Sequence, residues 1–74
     1  MPYNSKAFGI TVSRIRTKKG ISQTRFSDMV GIARSHLTML ENGKKTVRLD
    51  TFCQIADALE MSPSELMKLT EDLF

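Results

Sequence analysis

Three glycines and one proline cut this chain into pieces that fit short helices and little else. Gly20, Gly31 and Gly43 each follow a stretch whose apolar residues recur at helical spacing, and no stretch alternates with the period of a strand. In the first stretch Phe8, Val12 and Ile15 share one face, with Arg14, Lys18 and Lys19 off it, which predicts a helix from about Ser5 to Lys19. Ser22 is a good N-cap for a second helix carrying Phe26, Met29 and Val30 and stopping at Gly31. A third starts after Ala33, turns Leu37 and Leu40 inward and stops at Asn42-Gly43. A basic loop from Lys44 to Arg48 leads to a fourth, from about Leu49 to Leu59, with Phe52, Ile55, Ala56 and Leu59 as its core stripe. Ser62-Pro63-Ser64-Glu65 is a capping box with proline at the first helical position, and Met61 and Leu66 can close the hydrophobic staple. The fifth helix therefore begins at Pro63 and runs to about Thr70. The sum is a compact all-α domain of five helices over residues 1–74.

A chain of 74 residues has room for one small core. A domain of this size buries only about 60% of its unfolded surface, which excludes a two-domain enzyme and favours oligomerisation. No apolar run approaches the length of a membrane span, and the N-terminus lacks the apolar stretch of a signal peptide. One Cys and one His leave neither an internal disulfide nor a metal cage, so no metal or other cofactor is expected and a reducing cytoplasm is the expected compartment. Cys53 is expected to pack as a small apolar residue, and Met29, Met61 and Met67 as core or interface filler. Ser22, Asp28 and His36 come with no implied oxyanion donors. No catalytic residue is assigned, and the chain is not expected to be an enzyme.

The net charge of +3 conceals a division. Residues 1–48 hold ten basic side chains and two acids, a balance of +8, whereas residues 49–74 hold Lys68 and six acids, a balance of −5. A basic two-thirds joined to an acidic third fits one face toward a polyanion and another turned away.

The second and third predicted helices are short and joined by a three-residue turn, so they must cross steeply, which is helix-turn-helix geometry. The run Arg16-x-x-x-Gly20-Ile21-Ser22-Gln23-x-x-Phe26-Ser27, then Gly31-Ile32, then Leu37-x-x-Leu40-Glu41-Asn42-Gly43 resembles the Cro and phage-repressor family of DNA-binding domains. The resemblance extends from about Phe8 to Leu69. It implies that the third helix lies in the major groove of double-stranded DNA.

With Leu37 and Leu40 turned inward, Arg34, Ser35, Thr38 and Met39 are left as candidate base readers. Arg34 can bond guanine O6 and N7 in bidentate fashion, Ser35 can donate or accept, and Met39 suits a thymine methyl. Thr38 fits a phosphate as well as a base. Candidate phosphate contacts are Gln23 beside the free N–H groups of the second helix, His36 at the flank, and Asn42, Lys44, Lys45 and Arg48 beyond the third helix. The resemblance also implies an ion pair between Arg16 and Glu41 that ties the first helix to the third.

The chain departs from the family pattern in three places, the last of them two residues long. Ala33 lacks a capping side chain, Ser27 fills a position normally held by Ala and must bond a carbonyl, and Val47-Arg48 replaces the usual Pro and polar cap.

One such domain covers one half-site, so binding as a homodimer to a partly palindromic operator is expected, with RNA polymerase as a further candidate partner. Leu66, Leu69, Leu73 and Phe74 exceed what one core needs and form the expected dimer surface. The chain is similar in size to restriction–modification controllers and small phage or plasmid regulators. The alternative is a protein-interaction helix-turn-helix, such as an antitoxin or anti-repressor. No small-molecule ligand or membrane is implied.

Overall fold

Asn4 starts the first helix: its Oδ1 accepts the N–H of Ala7 at 3.0 Å, so α1 runs over Ser5–Lys18. Ser22 does the same for α2 (Gln23–Val30), accepting the N–H of Arg25 at 3.1 Å. Helix α3 (Arg34–Glu41) follows Ala33 with no side-chain cap, and α4 (Leu49–Ala58) follows Arg48 in the same condition. The capping box forms as its residues dictate. Ser62 accepts the N–H of Glu65 while the Glu65 carboxylate accepts from Ser62, and α5 covers Pro63–Glu71. The structure is a computed structural model, which describes residues 4–73. Among the described residues all regular structure is helical. Helix ends lie within a residue of the sequence expectation, as fraying termini allow.

The core gathers Phe8 and Val12 of α1, Phe26 and Val30 of α2, Leu37 and Leu40 of α3, Phe52, Ile55 and Ala56 of α4, Leu59, and Leu66 of α5. Phe8 and Phe52 stack with ring centroids 5.2 Å apart, joining the first helix to the fourth. Buried hydroxyls are satisfied within their own helices: Thr11 donates to the Ala7 carbonyl and Thr70 to that of Leu66, both at 2.9 Å. Ser27 donates to the Thr24 carbonyl at 2.8 Å, so the hydroxyl that replaces a methyl is also paired.

Glycine sets one contact that positions the site. A Cβ on Gly9 of α1 would stand 2.5 Å from the carbonyl oxygen of Leu40 and 2.7 Å from that of Glu41. The first helix therefore lies directly on the end of α3, closer than any side chain would permit.

Three expectations are corrected. Leu66 is fully buried: it faces the same side of α5 as Thr70 and closes the core, leaving nothing for a dimer contact. Cys53 is exposed, because Phe52, Ile55, Ala56 and Leu59 fill the inward stripe of α4 and residue 53 falls off it. Met29 is 47% exposed, since Phe26 and Val30 already occupy the inner face of α2, so of core and interface filler only the core role is corrected for it; Met61 and Met67 do pack against the core. Phe74 lies outside the described residues. No described helix is long and apolar enough to cross a membrane.

Candidate nucleic-acid interface

Helix α3 has two faces. Leu37 and Leu40 are buried, which turns Arg34, Ser35 and Met39 outward, all three exposed. Arg34 and Ser35 occupy the first turn. The Ala33 side chain offers no oxygen to the N–H groups there, so a partner or solvent must satisfy them.

Thr38 differs from its three neighbours. Its hydroxyl lies 3.1 Å from the Arg34 carbonyl and 3.3 Å from Gln23 Oε1. Both are acceptors, so its single proton is directed into the protein.

Gln23 is likewise tied inward. Its Nε2 donates to Glu41 Oε1 at 2.9 Å while its Oε1 faces Thr38. A primary amide carries two N–H groups, so one remains for an outside acceptor.

Glu41 joins three helices. Arg16 donates from Nε to Glu41 Oε2 at 2.7 Å and from Nη2 to Oε1 at 3.1 Å, a bidentate pair with side chains only 12% and 5% exposed. Arg16 also donates from Nη1 to the Ile21 carbonyl at 2.7 Å, pinning the turn before α2. The network locks the angle between the two helices of the motif. Its Gln23 and Thr38 members are not evident from the sequence, where spacing shows only that both residues start or line a helix.

Past the end of α3, His36, Lys44, Lys45 and Arg48 come together around an open groove of about 520 Å³, with Thr46, Val47 and Thr51 completing its walls. Basic groups from α3, the loop and the start of α4 thus face one space. Asn42 is the exposed C-cap of α3, and its N–H bonds the Thr38 carbonyl at 3.1 Å. The Arg48 guanidinium lies 3.6 Å from Asp50, with both side chains largely in solvent.

Away from this face, Leu69 and Leu73 are 43% and 39% exposed. They border a hollow of about 230 Å³ with Thr11, Arg14, Ile15 and Asp72. A second, of about 220 Å³, lies on the other side of Leu69 among Met61, Glu65, Lys68 and Asp72.

The helix-turn-helix family model HTH_3 matches residues 12–66. The chain is 36% identical over 64 residues to the uncharacterised HTH-type transcriptional regulator YozG of Bacillus subtilis, covering 85% of this chain and 76% of that one. It is 34% identical to the restriction–modification controller protein C.AhdI of Aeromonas hydrophila, whose structure superposes with a TM-score of 0.80 over 84% of this chain and 94% of that one. The controller C.Esp1396I, solved bound to a 25 base-pair operator, shares the fold with a TM-score of 0.84 over 97% of this chain and 95% of its own, at 15% identity. Motif, packing and comparison agree: the chain belongs to the HTH_3 helix-turn-helix family.

Proposed function

We propose that this protein is a sequence-specific, DNA-binding transcriptional regulator of the restriction–modification controller or small phage and plasmid type. It binds a partly palindromic operator as a homodimer. The observation that carries this reading is the exposed edge of α3, Arg34, Ser35 and Met39, flanked by the groove of His36, Lys44, Lys45 and Arg48. An α-helix fits the major groove, and cations placed beside it fit the phosphates that border that groove. Arg34, Ser35 and Met39 read base edges. Thr38, with its proton directed inward, offers lone pairs and so suits a base-edge amine better than a phosphate. Gln23, His36, Asn42, Lys44, Lys45 and Arg48 hold the backbone.

The dimer surface is Leu69 of α5 and Leu73 just beyond its end, beside Ile15 and Met61. Arg14 and Lys68 lie on the same patch as Glu65 and Asp72, and a two-fold contact needs such mixed charge to complement itself.

The test is selection of bound duplexes from a random pool, with sedimentation of the protein alone. The reading requires an enriched, partly palindromic sequence and a dimer at micromolar concentration. It also requires a log–log salt slope near about −7 to −9, which corresponds to four or five phosphates per protomer. Leu69→Lys with Leu73→Lys should give helical monomers that no longer bind the operator tightly. An unenriched pool, or a wild-type monomer, contradicts it.

A further inference from the structure

We propose that Lys6, in the first turn of α1, is an additional phosphate contact, so that the DNA-facing surface extends beyond the helix-turn-helix onto the first helix. This rests on the reading of the protein as a DNA binder. Gly43 has φ +74, and a Cβ placed on it would stand 2.8 Å from the Lys6 Cα and 3.2 Å from its Cβ. Gly9, one turn further along α1, meets the Leu40 and Glu41 carbonyls as closely. Two backbone contacts without side chains between them thus fix the start of α1 against the end of α3. They set Lys6 beside the segment from Asn42 to Lys44.

The side chain at this place is exposed, and no ion pair is formed by it among the described residues. The first turn of α1 holds no acid that would compete for the ammonium. A lysine is a flexible point charge whose stem can follow a phosphate without fixed geometry. Lys6 therefore brings a cation from a distant part of the sequence beside Gly43, the residue that precedes Lys44 and Lys45. The contact carries no base information. It adds affinity on any duplex and steepens the salt dependence.

The experiment measures binding of the intact protein to an operator duplex and to a random duplex of equal length, across a salt series, for wild type, Lys6→Gln and Lys19→Gln. Lys19 sits beyond the opposite end of α1, its Nζ 4.0 Å from Glu60, and supplies the same change of charge away from Gly43. Lys6→Gln should weaken both duplexes by the same factor and flatten the salt slope by about one per protomer. Lys19→Gln should leave the slope in place. Circular dichroism should give both variants the wild-type helical content and melting profile. A wild-type slope in Lys6→Gln, or equal weakening in the two variants, overturns the contact while leaving the DNA-binding reading intact. A wild-type protein that binds neither duplex overturns that reading and Lys6 with it.

Discussion

Gln23, which opens α2, donates a hydrogen bond of 2.9 Å to Glu41, which closes α3. The same carboxylate is held by Arg16 from α1, so one acid sets how the two helices of the motif cross. Removing one partner of a nearly buried pair leaves the other charge without compensation. Glu41→Ala should destabilise the fold by about 3 kcal/mol, a large part of the total for a small domain. Gln23→Ala, which deletes a neutral donor, should cost about 1 kcal/mol. Urea denaturation followed by circular dichroism measures both, and equal costs would contradict this ranking.

Gly9→Ala tests the contact between α1 and α3. Alanine is the better helix former by about 1 kcal/mol, so an open site would gain stability. Here the new methyl meets two backbone carbonyls, which cannot swing aside as a side chain can. A net destabilisation of about 1–3 kcal/mol is expected from the same urea titration. A stabilised variant would show that the helices separate at little cost.

What is legible in the sequence follows from which interactions are local. The five helices are, because their caps and apolar spacing lie within a few residues of one another, and the box at Ser62 is the clearest case. Arg34 and Ser35 can be assigned outward because Leu37 and Leu40 define the opposite face. The burial of Leu66 is not legible, since it depends on which face of α5 the neighbouring helices cover, whereas the exposure of Cys53 follows from the apolar stripe of α4, which leaves residue 53 off it. The inward turn of Gln23 and Thr38 depends on residues up to 18 positions away, a distance that no helical periodicity encodes. Gly9 does leave a sign: a glycine inside a helix costs stability unless something approaches it closely.

The capping box gives a pH dependence. The backbone N–H of Ser62 and then its hydroxyl hold the Glu65 carboxyl below its ordinary value. A carboxyl lowered in the folded state contributes fully above its unfolded range, and the contribution fades as pH falls through the folded value. Glu65→Gln keeps the hydrogen-bond acceptor and removes the charge. Its melting temperature should lie below that of the wild type at pH 7, and the gap should close from about pH 5 downward. A gap that stays constant down to pH 3 would assign the effect to shape and not to charge.

If α3 reads bases while the loop after it holds phosphates, two substitutions should separate the roles. Affinities of wild type, Arg34→Ala and Lys44→Ala are measured on the selected operator and on random duplex at one salt concentration, with a salt series for the slope. Arg34 is the side chain on the exposed edge that can make a bidentate base contact, whereas Lys44 lines the basic groove. Arg34→Ala should cost about 1–3 kcal/mol per half-site on the operator, much less on random DNA, and relax the preference at one base pair. Lys44→Ala should weaken both duplexes equally and flatten the salt slope by about one for each phosphate no longer neutralised. If Arg34→Ala lowers the two affinities by the same factor, Arg34 is a phosphate clamp and does not read sequence.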